Sequence, residues 1–164
     1  MSAPHEVLDA ASEEEARAML LRCCGSSRWV GAMLARRPFA SYASLDDAAA
    51  EEWDRLMPAD WLEAFRHHPP IGGDGGGEWS RQEQSGVRLA DADTLRALRE
   101  ANAAYQRRFG FIFLVCATGK TAQEMLALLQ ARMGNSPEVE LRVASREQAK
   151  ITALRLQKLE KLGQ

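Results

Sequence analysis

His67 and His68 stand side by side ahead of Pro69 and Pro70, inside the stretch AFRHHPPIGGDGGGEWSRQEQSGV at residues 64–87. Neighbours on a helix point about 100° apart, so these two imidazoles cannot share a metal as residues three or four apart can. Pro69 pushes His68 out of helical geometry. Its ring therefore sits at the end of the preceding helix, where the partial negative charge of the C-terminus favours imidazolium. A proton donor fits that place, and so does an ordinary surface histidine at a helix end. Further along, Ser80 and Glu83 match the S-x-x-E pattern of a capping box. With Gln84 they also put a carboxylate and an amide at a helix start, where exposed N–H groups attract an anion. The glycines of GGDGGG, 72–77, are not followed by Gly-Lys-Ser/Thr, so a P-loop is a poor reading. A mobile flap or a tolerated insertion fits them better.

Two further features carry chemical potential. In REQAKITALRLQKLEKL the apolar stripe reads Val143, Ile151, Leu154, Leu162, which places Arg155 at the edge of the inward face. A partly buried arginine needs an anionic partner, from the protein or from a substrate, unless its stem packs while its head reaches water. FIFLVCAT, residues 111–118, is short, apolar and rich in aromatic and β-branched types, so it reads as a buried extended segment. No second strand is evident to pair with it. Its main-chain groups then need partners: a ligand with several amide-like groups, or neighbouring side chains and water. A helical run is the remaining possibility.

The elements that must position these residues are helices. Ser12 precedes EEEARAMLLRCC, with Glu15 in the box position and Gly25 beyond the last turn. Ser26 and Ser27 precede RWVGAMLARR, stopped before Pro38. Ser44 opens LDDAAAEEWDRLM, which Pro58 closes, and ADWLEAFRH follows. Ser80 caps RQEQSGVRLA. Asp93 caps TLRALREANAAYQRRF, which ends at Gly110. Thr121 caps AQEMLALLQARM with Glu124 in the box position, and Gly134 ends it. Ser136 and Pro137 start a long final helix. The expectation is an all-α fold, a single-domain bundle spanning 1–164 with about eight helices and one buried extended segment near 111–118.

The 164 residues suit one core. No run approaches the roughly eighteen apolar residues of a membrane span. MSAPHEVLDAASEEE lacks a secretory signal pattern, and KLGQ is not an SKL-type address. A net charge of −2 points to neither nucleic acid nor an anionic membrane. The three cysteines, two of them adjacent at Cys23 and Cys24, form no CxxC or zinc spacing. Free thiols in a reducing cytoplasm are the simplest reading. His5, His67, His68 and the cysteines make no credible metal-ligand set.

Taken in order, RPF at 37–39, WLEAF at 61–65, HPPIG at 68–72, SRQEQ at 80–84, Asn102 with Tyr105, FGFIF at 109–113, RMGN at 132–135 and ITALRL at 151–156 resemble the family of 2-oxo-4-hydroxy-4-carboxy-5-ureidoimidazoline (OHCU) decarboxylases. The resemblance covers nearly the whole chain; the ordered set, not any single motif, is specific. It implies an all-helical, cytoplasmic enzyme of urate breakdown, a homodimer that yields (S)-allantoin with no metal or organic cofactor. It implies catalytic roles for His68, Glu83 and Arg155. Pro69, Ser80, Gln84, Phe113, Leu114, Val115, Cys116 and Ala117 would line the substrate site. The GGDGGG insertion departs most from the pattern. The rival reading is a non-catalytic helical module, its glycine loop a linker and its exposed Trp and Leu residues contacts for a partner protein.

Overall fold

The structure is a computed structural model that describes residues 2–71, 78–88 and 90–162. The glycine-rich stretch 72–77 lies outside the described residues, and with it any reading of a flap. Ten helices and no strand are found among the described residues. None of those helices is long and apolar enough to cross a membrane. The chain forms two compact units, one from residues 1–64 and 149–164, the other from 65–148.

In the first unit, α1 (Pro4–Ala10), α2 (Glu13–Cys23), α3 (Ser27–Ala35), α4 (Tyr42–Asp54) and most of α5 (Pro58–Phe65) enclose a core that includes Leu8, Leu20, Trp29, Met33 and Leu45. Local chemistry sets the helix starts. Ser12, Ser26 and Ser41 accept the N–H of Glu15, Trp29 and Ser44 respectively, satisfying donors that a first turn leaves open. Arg37 Nη1 closes the end of α1, donating to the carbonyls of Leu8 and Ala11 at 2.7 and 2.9 Å. Buried indoles find main-chain acceptors: Trp29 Nε1 donates to Ala49 O at 3.1 Å.

The second unit contains α6 (Glu78–Glu83), α7 (Ser85–Arg88), α8 (Ala92–Phe109), α9 (Ala122–Arg132) and the first part of α10 (Pro137–Leu162), whose remainder from Ala149 belongs to the first unit. Ile71, Val87, Leu98, Tyr105, Phe113, Val115, Met125 and Leu129 share one core cluster. Gly110, at φ 83°, ends α8 in the left-handed conformation that a side chain would disfavour. Thr121 and Glu124 form a complete capping box on α9.

Several boundaries differ from the sequence reading. α1 is additional; its seven residues carry too short a pattern to register. Ser41 rather than Ser44 caps α4, and Asp91 rather than Asp93 caps α8, because each lies three residues before the N–H it accepts. α4 stops at Asp54, and Pro58 opens α5 instead of closing α4. Cys24 and Met133 occupy the C-cap positions of α2 and α9, so Gly25 and Gly134 do stand just beyond the last turns, but neither takes the positive φ of a left-handed cap. The 111–118 segment is non-helical, buried from Phe113 to Ala117, and belongs to no strand.

Candidate active site

The strap that carries His68 leaves α5 through a turn in which the His68 N–H donates to Phe65 O at 3.2 Å. The His68 ring is half-buried, whereas His67 is exposed. His68 Nε2 lies 2.6 Å from Gln148 Oε1 on α10. Three residues on, buried Ile71 turns its carbonyl to Asn102 Nδ2 of α8 at 3.2 Å. The strap His68-Pro69-Pro70-Ile71 is thus tied at both ends, and its two prolines restrict φ between the ties.

Ser80 does not cap a helix. α6 begins at Glu78, so buried Ser80 is an interior residue whose carbonyl accepts the Gln84 N–H at 3.0 Å. Glu83 is the last residue of α6, half-buried, and Gln84 joins α6 to α7. The capping-box reading and the helix-start anion site both fail here, because the helix begins two residues before Ser80. Gly86 of α7 approaches the turn before α9 so closely that a β-carbon there would meet Lys120 O at 2.1 Å. Only glycine permits that contact.

The buried segment divides by residue. Leu114 O accepts from Arg132 Nη1 at 2.8 Å, Cys116 N–H donates to Glu147 Oε1 at 3.0 Å, and Cys116 O accepts from Lys120 Nζ at 2.8 Å. Side chains therefore serve residues 114 and 116. Val115, only 5% exposed, has a main-chain N–H and C=O for which the described residues provide no hydrogen bond. Buried main-chain groups are rarely left this way, since each unmade bond costs about 1–3 kcal/mol. A ligand with amide-like donors and acceptors fits such a place.

Behind the segment, Arg132 is fixed by Glu140, whose Oε1 lies 2.6 Å from both Nε and Nη2. Tyr105 Oη donates to the same oxygen, and Asn135 Nδ2 donates to Oε2 at 3.0 Å. Burial, and then the bond to Glu140, pushes the Tyr105 phenol far above its ordinary range, so it remains a donor. The Arg132 guanidinium also covers the Phe113 ring at 4.5 Å.

Arg155 belongs to the first unit. At 8% exposure it is buried, not at the edge of an inward face. The buried stripe of α10 runs through Ala144, Gln148, Ile151, Arg155 and Leu159, while Val143 and Leu154 are half-buried. Arg155 Nη1 donates to Arg22 O at 3.1 Å, one of the carbonyls that the end of α2 leaves open. Cys24 lies close enough to feel its charge, yet burial outweighs that and pushes the thiol up to about 12. A cavity of about 50 Å³ in the same unit, lined by Trp29, Asp46, Trp53 and Thr152 among others, contains none of the expected site residues.

His68, Pro69, Ser80, Glu83, Gln84 and Phe113–Ala117 all lie in the second unit. Ile71, Val87, Phe113, Val115 and Ala117 share its core cluster, which gathers the strap, the end of α7 and the buried segment. Glu147 and Gln148, adjacent on α10, hold the segment and the histidine respectively. Sequence reasoning assigned no role to Gln148, Glu147 or Arg132. Their signal was polar residues recurring on a stripe that helical spacing turns inward. Among the described residues no three His, Cys, Asp or Glu side chains gather to hold a metal ion.

Comparison with known proteins adds a separate line of evidence. The family described as OHCU decarboxylase matches residues 9–157. The chain is 40% identical over 145 residues to the uric acid degradation bifunctional protein TTL of Arabidopsis thaliana, covering 84% of this chain and 45% of that one. It thus spans under half the length of the plant relative. It is 36% identical over 131 residues to the 2-oxo-4-hydroxy-4-carboxy-5-ureidoimidazoline decarboxylase of Amia calva, covering 74% and 73%. Its fold superposes with a TM-score of 0.79, at 37% identity, on a crystal structure of OHCU decarboxylase in the presence of (S)-allantoin, covering 92% of this chain and 99% of that one.

Proposed function

Since the chain belongs to the OHCU decarboxylase family, we propose that it decarboxylates 2-oxo-4-hydroxy-4-carboxy-5-ureidoimidazoline to (S)-allantoin, a step of urate breakdown. The observation that carries the reading is the buried main chain of Val115, without a hydrogen bond among the described residues, in the same core cluster as the tethered His68 strap. A ureide presents the donors and acceptors that such a backbone can use. We further propose one functional domain over both compact units, supported by a single family match across 9–157. Cytoplasmic placement and a homodimer belong to the same proposal.

The substrate carries a hydroxyl and a carboxylate on one ring carbon, next to a C=N bond. As the bond to the carboxylate breaks, CO₂ leaves and its electron pair moves into the C=N unit. The substrate is its own electron sink, so the chemistry requires no pyridoxal or thiamine. What remains is to hold the carboxylate perpendicular to the ring, stabilise the charge, and protonate the ureido-bearing carbon from one face. In this proposal His68 gives the proton. Glu83 orients His68 or the substrate hydroxyl. Arg155 grips anionic oxygens, and Pro69, Ser80, Gln84 and Phe113–Ala117 line the substrate. General acid help is worth about 10²–10⁴-fold, and preorganised electrostatics add to it.

The test generates the unstable substrate from urate in a coupled assay and follows circular dichroism. The expected outcome is rapid growth of the (S)-allantoin signal, unaffected by exhaustive chelation. A rate and handedness unchanged from the uncatalysed reaction would return the chain to the reading of a helical interaction module. Loss of turnover with EDTA, restored by zinc, would break the cofactor-free assignment. Sedimentation equilibrium tests the homodimer.

A further inference from the structure

We infer that Arg132 and Glu147 act on the ligand through the backbone: by holding the far ends of the two peptide units that meet at Val115, they orient its N–H and C=O and strengthen both. The inference rests on the proposed reading of Val115 as a contact for a ureide. A peptide unit joins the carbonyl of one residue to the N–H of the next in a plane, and in the trans form the two point in opposite directions. The Leu114 carbonyl and the Val115 N–H share one unit; the Val115 carbonyl and the Cys116 N–H share the next. Both are trans. Arg132 Nη1 donates to Leu114 O at 2.8 Å, and the Cys116 N–H donates to Glu147 Oε1 at 3.0 Å. The Val115 N–H therefore faces away from Arg132, and the Val115 C=O away from Glu147. Each side chain fixes one end of a unit whose other end belongs to Val115.

The signs agree with this role. A cation on a carbonyl oxygen draws electron density along the amide and makes its N–H a better donor. A carboxylate on an N–H pushes density the other way and makes the carbonyl a better acceptor. Charge-assisted bonds are roughly twice as strong as neutral ones, and linked bonds polarise one another by about 10–30% each in a low dielectric. Arg132 and Glu147 are both buried, so water screens them little. A neutral amide would satisfy the Cys116 N–H without the cost of burying a charge. The two contributions differ in kind. Glu140 balances the Arg132 charge at 2.6 Å, so Arg132 chiefly fixes orientation, and Glu147 is the electrostatic lever. One donor and one acceptor on a single residue match a ligand in which a C=O adjoins an N–H, as in a ureide or a hydantoin. A carboxylate or phosphate would suit the Val115 N–H and be repelled by its C=O. Arg132 and Glu147 act through peptides and not on reacting atoms; they are positioning residues.

The test reads both peptide units directly. Leu-Val and Val-Cys each occur once in the chain, at 114–115 and 115–116. Carbonyl-¹³C leucine with ¹⁵N valine therefore gives one resonance for the first unit, and carbonyl-¹³C valine with ¹⁵N cysteine gives one for the second. In wild type, saturating (S)-allantoin is expected to move the Val115 amide proton and the Val115 carbonyl carbon downfield. Glu147→Gln keeps an acceptor for the Cys116 N–H and removes the charge. It is expected to move the Val115 carbonyl carbon of the free protein upfield and to raise the (S)-allantoin Kd about two- to tenfold, the scale of a tenth to a third of one hydrogen bond in an apolar medium. The Cys116 amide should stay protected from exchange, which shows that its bond persists. A bond that only satisfied the backbone would move neither the Val115 carbonyl nor Kd. Glu147→Gln with wild-type carbonyl shift and Kd overturns the inference. Should that variant fail to fold, the free wild type decides: a Val115 carbonyl carbon no further downfield than an unpolarised valine carbonyl overturns it. Turnover in the coupled assay with Val115 signals unmoved by (S)-allantoin overturns this inference and leaves the proposed reaction standing. Val115 signals that move without turnover overturn the reaction and uphold the inference.

Discussion

Two polar regions of the second unit differ in how completely the protein satisfies them. Around Glu140, Tyr105, Arg132 and Asn135 donate to both carboxylate oxygens. Around Val115 the protein leaves work for another molecule: its main chain has no hydrogen bond among the described residues, whereas His68 Nε2 is engaged by Gln148. Buried polar groups with every bond made inside the chain are scaffold. Buried groups with valence to spare are where a ligand belongs.

The largest expected effect breaks the scaffold side. Arg132→Met leaves Glu140 buried with its charge uncompensated and releases Leu114 O. Destabilisation of about 3–5 kcal/mol is expected, the scale of a broken buried pair, read from the urea midpoint at constant m-value. A change below about 1 kcal/mol would show that the network is not structural, since ordinary surface substitutions already reach half of that.

On the ligand side the order inverts. His68→Asn and Glu83→Gln are expected to lower kcat by about 10²–10⁴-fold while the melting temperature barely moves. His67→Asn, at the exposed neighbour, should be far milder. Equal losses at both histidines would remove the distinction on which the site rests.

Arg155 tests a residue with features of both regions, buried like scaffold and tied to Arg22 O. Arg155→Lys keeps the charge but loses the planar fork that grips two oxygens. Weakening of (S)-allantoin binding by at least about 1.5 kcal/mol, with little change in melting temperature, is expected if the head serves the substrate. A large stability loss with unchanged binding would assign Arg155 to the scaffold and end its catalytic role.

How much of this was legible in the sequence depends on the range of the interaction. Thr121 with Glu124, Ser12, Ser26 and Gly110 act within one helical turn, and their roles followed from local chemistry. Asp91 and Ser41 were confused with Asp93 and Ser44 because two candidate caps stood within three residues. The 111–118 segment was recognisable as buried and non-helical. Its partners were not, because Arg132 and Glu147 lie 18 and 31 residues beyond the groups they hold. The His68–Gln148 bond spans 80 residues. His68 could be singled out by Pro69, but nothing local named the residue that turns its ring.

The smallest effect concerns Cys24, a nucleophilic residue type placed wholly on the scaffold side. Burial raises its thiol from 9.0 to about 12, with Ser26, Thr152 and Arg155 offsetting only part of that rise. In the unfolded chain the thiol ionises near its ordinary value, so between those limits the folded state holds a proton that the unfolded state has lost. The contribution of Cys24 is thus complete below pH 9 and is lost as pH rises toward 12. From pH 9 to pH 10 the expected loss is about 1 kcal/mol, read as the difference in melting temperature between wild type and Cys24→Ala over that step. Cys24→Ala is less stable at every pH because it opens a cavity; the diagnostic quantity is its flatter alkaline slope. Tyr105 titrates above this window in the folded state, is present in both proteins, and cancels in the difference. Equal slopes, or rapid modification of Cys24 by a thiol reagent in the native protein at pH 8, would show that this thiol is open to solvent and would move it to the side of the molecule where chemistry is possible.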